Sequence, residues 1–451
     1  MKSDFSFFRS VSALAVPVAL QSMLQSSFSM VDQIMLGQLG SVSVAGVGLA
    51  GKFASIFSVV ISAVGAVAGI MLAQYLGQED RREVRRSFWI NLLLGAGIGV
   101  LFTLLCALFP GSVMGLYTKD AAVRLAAAQY LAILSGTFLP MVGAALLSTM
   151  FRCMEKPGLP LCASILSALL NTVLNYILIF GKLGFAPMGA RGAAIATLIS
   201  QWANLLLMIA MLPRTGSPLA RSAQDTAGPF HWRQYWSMLL PILVCEVLWS
   251  LGENVYAAIY GRMSTFASAA MTLTNPVQGL VMGALCGLSQ AAAVLVGKDL
   301  GRWDPVSAYR TSKKLLLYGA AGSILISLLV AAVSPFYVRI YQVDGAVRLL
   351  TRQLLTVYAL IAPFKALNMI LGGGILRSGG KTRYVMLIDM VGTWVMGVPM
   401  GLLAAFVWHL PVQWVYLLLS LEECVRFLLS IAVFRRKKWM HSLGSAPSAH
   451  P

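Results

Sequence analysis

A stripe of acidic and aromatic side chains carries the most evident chemistry of this sequence. Glu246 and Glu253 alternate with Trp249, Tyr256 and Tyr260 at steps of three and four residues. Residues at these steps lie on one face of an α-helix. Carboxylates interleaved with aromatic rings suit a lipophilic cation, because the cation gains from ion pairing and from the electron-rich ring faces. The stripe therefore predicts a site for such a solute.

Further polar residues follow in the same half of the chain. Lys365 and Asn368 lie one turn apart, and Asp389 comes shortly before Trp394. A lysine among carboxylates can be a fixed counter-ion, or a cation that protons or solute displace. The acidic stripe also has a structural alternative, in which its glutamates pair with Lys365 or Arg262, because a buried charge without a partner is costly. Both interpretations stay open.

Glu422, Glu423 and Arg426 form another charged group. The two glutamates precede the arginine by four and three residues, and opposite charges at these spacings meet on a helix surface. We expect a local structural pair here rather than a binding site.

Polar residues also follow one helix face in the first half. Gln21, Gln25, Ser29 and Asp32 recur at helical spacing. Serines and glutamines can simply bind a neighbouring helix in a membrane. Asp32 differs, because an ionisable group within an apolar span costs several kcal/mol unless it faces water or a partner. We expect this aspartate to have a function.

Asn171 and Asn175 continue a second polar stripe of the first half. They follow Ser164 and Ser167 at steps of three and four residues. Amides inside a span either hydrogen-bond neighbouring helices or line a functional site. The sequence does not separate these alternatives.

The sequence offers no constellation for covalent catalysis or metal binding. Its four histidines are scattered and its six cysteines lack the paired spacing that disulfides or zinc sites need. Gly380-Lys381-Thr382 resembles the end of a phosphate-binding loop, but Ile375 stands where that loop needs a glycine. We therefore expect neither an enzyme nor a cofactor.

These residues lie in a chain of 451 residues that is too apolar for a soluble domain. Hydrophobic residues make up 58% and charged residues 11%, whereas a soluble domain carries about 25% charge. Twelve apolar runs are long enough to cross roughly 30 Å of hydrocarbon as helices. They lie near residues 11–36, 46–76, 88–109, 122–150, 159–180, 190–212, 236–260, 268–297, 313–333, 346–376, 384–407 and 411–434. The sequence predicts an all-α integral membrane protein.

The runs divide into six and six around a hydrophilic stretch, Pro213 to Trp236. At a shift of about 224 residues the halves match, with Leu116 and Tyr117 falling on Ile340 and Tyr341, which identifies an internal repeat. We predict an N-terminal lobe over residues 1–212, an interlobe linker over 213–235, a C-terminal lobe over 236–434 and a basic tail over 435–451.

The net charge of +18 indicates topology rather than nucleic-acid binding. Of the 34 lysines and arginines, 23 fall in one set of alternate connections, 8 in the other set and three within spans. Positive residues concentrate on the cytoplasmic side of membrane proteins. Both termini and the linker are therefore expected in the cytoplasm, with no nucleic-acid partner.

Three segments of the first half resemble the multidrug and toxic compound extrusion (MATE) transporters. They are VDQIMLGQLG at the end of the first run, FRCMEKPGLP between the fourth and fifth runs, and MGARGAAIAT at the start of the sixth. The resemblance covers nearly the whole chain. It implies two pseudo-symmetric six-helix lobes around a central cavity that opens alternately to each side of the membrane. It also implies export of drug-like, often cationic solutes in exchange for protons or sodium.

The resemblance also implies roles for residues of the first half. Asp32 matches a carboxylate that takes part in ion coupling, and Gln25 matches a polar residue two turns earlier. Asn171 and Asn175 occupy the positions of a common Asn-x-x-x-Asp pair, so the second position is an amide here.

In the second half the resemblance is less complete. Glu246 or Glu253 can fill the role of a glutamate that many members carry in the seventh span. Many members also carry an aspartate in the tenth span. This chain has Lys365 and Asn368 near that position and no acidic residue there, and its nearest acid is Asp389. The choice between proton and sodium stays open.

We thus predict a monomeric secondary antiporter of the cytoplasmic membrane that moves small organic cations and contacts membrane lipid. The residues predicted to couple the ion are Asp32, Asn171, Asn175, Glu253 and Asp389. Those predicted to bind the solute are Gln21, Gln25, Glu246, Trp249, Glu253, Tyr256, Lys365, Asn368 and Trp394. The alternative is a related flippase for lipid-linked saccharide precursors, a class that commonly adds spans or lines its cavity with several cations.

Overall fold

The computed structural model describes residues 2–216, 219, 230–339 and 344–443. Within these ranges every regular element is a helix and no β-strand occurs, so the predicted all-α class is confirmed. The apolar composition explains this outcome. A backbone that crosses hydrocarbon must satisfy its N–H and C=O groups within its own segment, and a helix does so.

Eight α-helices make up the described first half of the chain. They are α1 (Lys2–Gly37), α2 (Ser41–Gly77), α3 (Arg81–Leu108), α4 (Pro110–Gly115), α5 (Ala121–Leu134), α6 (Phe138–Cys153), α7 (Gly158–Phe180) and α8 (Ala190–Met211). The fourth predicted span is divided between α5 and α6, because a 3-10 turn at Ser135–Thr137 separates them.

Seven α-helices make up the described second half. They are α9 (Trp232–Met263), α10 (Thr265–Gly301), α11 (Pro305–Tyr337), α12 (Gly345–Asn368), α13 (Arg383–Met390), α14 (Val398–Leu402) and α15 (Val412–Arg435). Three π-helical segments interrupt the tenth and eleventh predicted spans, at Met369–Leu376, Val391–Gly397 and Leu403–Val407. Such segments are rare and are frequently found at functional sites.

Eleven helices of the described ranges are long and apolar enough to cross a membrane. The twelfth predicted span is also helical, as α15, but it contains Glu422, Glu423 and Arg426. These three charges set it apart from the other eleven spans, each of which has an apolar stretch with at most two charged residues. The chain therefore has the helices of a multi-pass membrane protein.

The helices form two compact units. Unit 1 contains Met1–Ala19, Ala73–Glu79 and Pro229–Pro451, and unit 2 contains Leu20–Leu72 and Asp80–Gly228. Each unit thus corresponds to one half of the chain, except that the start of α1 and the end of α2 pack with the second half. Residues 217–218 and 220–229 of the predicted linker and residues 444–451 of the predicted tail lie outside the described ranges.

Phe57 and Phe138 form the centre of an aromatic cluster in unit 2. Their ring centroids lie 4.5 Å apart, and the ring of Phe102 lies 5.3 Å from that of Phe57. Phe57 is 0% exposed and Phe138 is 1% exposed. Because membrane helices associate mainly through close packing, this cluster helps to hold α2, α3 and α6 together.

We predict that Phe138→Ala destabilises the protein by about 3 kcal/mol, because it leaves a cavity among these rings. The measurement is thermal unfolding in detergent. Phe109→Ala is the matched control, since Phe109 is 57% exposed and its removal leaves no cavity. Equal midpoints for the two variants would contradict the assigned packing role.

Candidate functional site

The polar faces of α1 and α7 meet in unit 2 and surround Asp32. Asn175 Nδ2 donates a hydrogen bond of 2.8 Å to Oδ1 of Asp32. About three turns before Asp32 on α1, Gln21 Nε2 donates a hydrogen bond of 2.8 Å to Oγ of Ser164. Both pairs join residues 143 positions apart. The two predicted stripes are therefore two sides of one site.

Asn171 and Asn175 act together on the aspartate. Asn175 is 2% exposed, and its Nδ2 also lies 3.1 Å from Oδ1 of Asn171. When the amide of Asn171 is turned over, its nitrogen lies 3.0 Å from Oδ1 of Asp32 and 3.2 Å from Oδ2. Both amides can thus donate to the ionised carboxylate.

An acceptor atom close to Asp32 has no donor. Oδ1 of Asn175 is buried and accepts no hydrogen bond, and leaving a buried polar atom unpaired costs about 1–3 kcal/mol. A proton carried by the aspartate would give the site a new donor. A small hard cation would also fit the chemistry, because such cations take oxygen ligands. The chemistry of these residues is thus compatible with a proton or with such a cation.

A cavity of about 170 Å³ lies beside Asp32 within unit 2. Its polar lining comes from three helices: Gln21, Gln25, Ser29 and Asp32 on α1, Ser164, Ser167 and Asn171 on α7, and Thr197, Ser200, Gln201 and Asn204 on α8. The α8 residues were missed in the sequence. Thr197, Ser200 and Asn204 nevertheless recur at steps of three and four, so the criterion that found α1 and α7 would have found them.

In unit 1 the stripe of α9 contains residues in two different environments. Glu246 Oε1 accepts a hydrogen bond of 3.0 Å from Nη1 of Arg377, and the Tyr256 hydroxyl donates to Glu422. Trp249 is 49% exposed, and Glu253 is exposed as well. Glu246 and Tyr256 are thus engaged by the protein, whereas Trp249 and Glu253 present accessible side chains.

Glu246 pairs with a different residue from those considered in the sequence. The sequence suggested Lys365 or Arg262 as partners of the acidic stripe, but Glu246 forms its ion pair with Arg377. This arginine follows the π segment Met369–Leu376 and lies 131 positions from the glutamate. No local pattern indicates a pairing over such a distance, so only the packing of the helices reveals it.

Asp389 belongs to the same network. Cys245 Sγ donates to Oδ2 of Asp389 over 2.7 Å, and Nη2 of Arg377 lies 3.3 Å from that sulfur. Oδ1 of Asp389 lies 3.9 Å from Nε of Arg426. Asp389 therefore contacts Arg426 directly, is linked to Arg377 through Cys245, and is not an isolated carboxylate.

Arg426 lies at the centre of a buried charge cluster. Its guanidinium is 3.7 Å from Glu422 and 3.8 Å from Glu423, so the predicted local pair is confirmed. The three side chains are 7%, 5% and 4% exposed, respectively. Charges buried to this extent require partners on several sides, and neighbouring helices supply them.

Four further side chains, from α12 and the π segment Val391–Gly397, lie around the charge cluster. Asn368 Nδ2 donates to Oε2 of Glu423 over 2.8 Å, and Arg426 donates to the hydroxyl of Thr393. Lys365 lies half-buried one turn before Asn368. Trp394 donates through Nε1 to the carbonyl of Leu248 over 3.2 Å. Asn368 of α12 is thus held by α15, and Trp394 of the π segment Val391–Gly397 is held by α9.

Two glycines of the π segment Val391–Gly397 make room for these charges. A Cβ built on Gly392 would stand 2.5 Å from Nε of Arg426, and one built on Gly397 would stand 3.0 Å from Cδ of Glu422. A larger residue at either position would displace a buried ionic group. The π segment and the cluster therefore depend on one another.

Comparison with known families matches most of the chain to one of them. The profile described as MatE matches residues 17–177 and 241–403, and the profile of the lipid II flippase MurJ matches residues 115–271. A Thermotoga maritima protein named "Probable multidrug resistance protein NorM" is 24% identical over 430 residues, covering 94% of this chain and 92% of that protein. A Brucella suis protein of the same name is 28% identical over 421 residues, covering 87% and 85%.

Solved transporter structures share the fold. A mutant of the Vibrio cholerae MATE transporter VcmN is similar with a TM-score of 0.88 at 15% identity, covering 98% of this chain and 100% of that one. An outward-facing multidrug resistance MATE family transporter of the MOP superfamily has a TM-score of 0.85 at 17% identity, covering 95% and 96%. These likenesses support the predicted architecture of twelve helices in two lobes.

We predict that Arg426→Gln destabilises the protein by roughly 3–5 kcal/mol, because it leaves buried carboxylates without their counter-ion. The measurement is thermal unfolding in detergent. Arg262→Gln is the matched control, since Arg262 is exposed. If Arg426→Gln unfolded at the temperature of the control, the cluster would not be a structural ion network. Adding Glu422→Gln to Arg426→Gln should recover part of the loss.

Proposed function

The chain belongs to the MATE family of transporters, and on that premise we propose that it is a secondary antiporter that exports small, drug-like solutes in exchange for a proton or sodium. Members of this family are transporters rather than enzymes, so we expect no covalent chemistry and no cofactor beyond the coupling ion. The observation that carries the proposal is the contact between Asp32 and Asn175 beside a polar cavity inside the membrane spans.

Asp32 is the proposed ion-coupling residue, with Asn171 and Asn175 as its partners. The amides stabilise the ionised carboxylate, and the vacant acceptor of Asn175 favours the state in which a proton or sodium has arrived. The two states thus make different hydrogen bonds, and an ion can shift a conformational equilibrium only through such a difference. One monovalent ion falling through 100 mV supplies about 2.3 kcal/mol, enough for a solute gradient of about fiftyfold.

The proposed solute is a lipophilic organic cation. Trp249 and Glu253 support this choice, because an exposed indole and an exposed carboxylate on one helix offer a ring face and a counter-charge. Gln21 and Gln25 line the polar cavity of unit 2 and would contribute hydrogen bonds. Tyr256, held by Glu422, contributes to the shape of the α9 face.

The remaining second-half residues are proposed to support this face. Glu246, Asn368 and Trp394 each have a hydrogen-bond partner in unit 1, Lys365 is half-buried, and Asp389 contacts Cys245 and Arg426. Their engagement assigns them to positioning rather than to direct capture of the solute. Ion coupling by Asp389 then adds to that of Asp32 only if its contacts open during transport, whereas the exposed carboxylate of Glu253 is accessible to an ion without such a change.

The proposed location is the cytoplasmic membrane, with both termini and the linker in the cytoplasm. The bias of 23 to 8 in positive residues between the two sets of connections supports this orientation. The many exposed large hydrophobic side chains of the spans suit contact with lipid, and we propose that the protein functions as a monomer.

A flippase for lipid-linked saccharide precursors is the second candidate. The match of residues 115–271 to the MurJ profile favours it. The MatE match is longer and covers both halves, so drug export is the first choice. Counterflow in proteoliposomes separates the two, since movement of a lipid precursor with no movement of any organic cation would support the flippase.

We predict that Asp32→Asn abolishes ion-driven efflux from proteoliposomes while solute binding persists, because an amide can neither take up a proton nor attract sodium. Asp120→Asn is the matched control. Asp120 caps α5 by accepting a 2.8 Å hydrogen bond from Ala122 N, and asparagine caps a helix equally well. Undiminished efflux by Asp32→Asn under an imposed proton or sodium gradient would refute the coupling role.

We also predict that Glu253→Gln raises KM for monovalent organic cations about tenfold, which corresponds to about 1.4 kcal/mol of lost attraction. Transport of a neutral solute of similar size by the same variant is the internal control and should keep its KM. Equal changes for the charged and the neutral solute would show that the carboxylate acts on structure and not on charge recognition.

A further inference from the structure

The C-terminal ends of α2 and α10 cross very closely within unit 1. A Cβ built on Gly77 would stand 2.9 Å from Cα of Lys298, and a Cβ built on Gly301 would stand 2.9 Å from Cα of Gln74. Both distances are too short for a real side chain, so each position requires glycine. Small residues spaced four apart permit such close crossings between membrane helices.

The crossing has the symmetry of the internal repeat. Ala73 and Gly297 correspond at the shift of 224 residues, and a Cβ built on Gly297 would stand 2.8 Å from Cβ of Ala73. The same shift exchanges the two glycine contacts described above. Reciprocal contacts of this kind, in which residue i meets j and j meets i, characterise a two-fold interface. The crossing therefore joins equivalent helix ends from the two halves of the chain.

The tail segment, residues 439–443, binds across this crossing. On the α2 side, Gln74 Oε1 accepts the backbone N–H of Leu443 over 2.7 Å, and Gln78 Nε2 donates to the carbonyl of Leu443 over 2.7 Å. On the α10 side, Ser442 Oγ donates over 2.5 Å to the carbonyl of the penultimate residue of that helix. The tail segment is thus hydrogen-bonded to both helix ends.

Aromatic packing ties the tail segment to the second half. Trp439 is 0% exposed, and its ring stacks on Phe434 of α15 with centroids 5.8 Å apart. Phe434 in turn stacks on Tyr309 of α11 at 4.9 Å. Leu443 is 1% exposed. The segment is therefore fixed to α11 and α15, while its contacts with Gln74 and Gln78 reach a helix of the first half.

We propose that this crossing is the gate of the transporter on the side of the basic connections, and that the tail segment is a latch that holds the gate closed. The proposal rests on the antiport function above, because a gate implies a cycle in which it opens. Opening separates the end of α2 from that of α10. The hydrogen bonds to Gln74 and Gln78 then break, while Trp439 stays packed on α15.

The latch has a defined effect on the transport cycle. It stabilises only the closed arrangement, so it sets how often the solute cavity is exposed to this side of the membrane. Loss of a latch contact should increase the open population by the factor that corresponds to one hydrogen bond, about fivefold for about 1 kcal/mol. The solute and ion sites themselves stay unchanged.

The gate is tested by cross-linking in a protein whose six cysteines have been replaced. In the double variant Ala73→Cys with Gly297→Cys, the two Cβ atoms must move apart by about 1 Å to reach disulfide spacing. An oxidant should then join the two positions and arrest transport, and a reductant should restore it. Each single variant should be insensitive to the oxidant. Transport at the unoxidised rate by fully cross-linked protein would overturn the gate.

The latch is tested by alkylation of the thiol introduced by Ala73→Cys alone, since Ala73 is 0% exposed and reacts only when the crossing opens. Gln78→Leu should accelerate alkylation about fivefold at an unchanged unfolding temperature, because its bond to Leu443 breaks when the crossing opens. Ser442→Ala should leave the rate unchanged, because its bond to α10 lies within the second half and persists on opening. Gln38→Leu, at an exposed position, and deletion of residues 445–451 are controls that should leave the rate unchanged. Equal rates in all these variants would overturn the latch.

The two readouts also separate this proposal from the antiport function. Alkylation and cross-linking are read from labelled protein and need no transported solute. If the unmodified protein moved no solute but the latch variants accelerated alkylation, antiport would fail and the latch would stand. If solute moved normally and the alkylation rates did not differ, the latch alone would fail.

Discussion

The structure depends on the high free energy of a charged or polar group within an apolar span. Asp32 lies inside the first span, where an ionised carboxylate needs donors or water to persist. Asn175 supplies one donor at 2.8 Å, and Asn171 can supply another. Because amides are neutral, they stabilise the carboxylate without cancelling its charge. The aspartate therefore keeps the capacity to attract an ion, which a fixed arginine partner would have removed.

The second half meets the same constraint in a different way. Glu422 and Glu423 are buried against Arg426, and Glu246 is paired with Arg377. Fixed cations compensate these carboxylates, and the surrounding backbone is adapted to them through the glycines of a π segment. The two halves thus share an architecture but distribute charge differently. One half holds a responsive carboxylate, and the other holds a rigid ionic framework beside an exposed aromatic and acidic face.

Close backbone approach is the second recurring device of the fold. At the crossing of α2 and α10 the glycines bring two helix ends together, and at the π segment glycines leave space for buried charges. Association in a membrane gains little from hydrophobic burial, so packing distance and hydrogen bonding decide it. A contact that relies on small residues and a few hydrogen bonds can also separate again at moderate cost. Such a contact suits a part of the molecule that moves.

The class of the protein, its spans, its duplication and the polar faces of α1, α7 and α9 could be predicted from the order of its residues. These follow from composition and from the helical period, which act along one segment and need no knowledge of its neighbours. Asp32 was recognisable because a carboxylate in an apolar run is costly wherever the helix packs. The resemblance to the MATE family could likewise be read from local motifs.

Only the tertiary structure decided which faces meet. The contacts of Asp32 with Asn175, Glu246 with Arg377, and Tyr256 with Glu422 join positions 143, 131 and 166 residues apart. The arginine partner of Glu246 was missed for this reason, whereas the polar residues of α8 recur at helical spacing and could have been found by the same criterion as those of α1 and α7. Helical periodicity gives the direction of a side chain around its own axis, but the identity of the helix opposite depends on the packing of the whole unit.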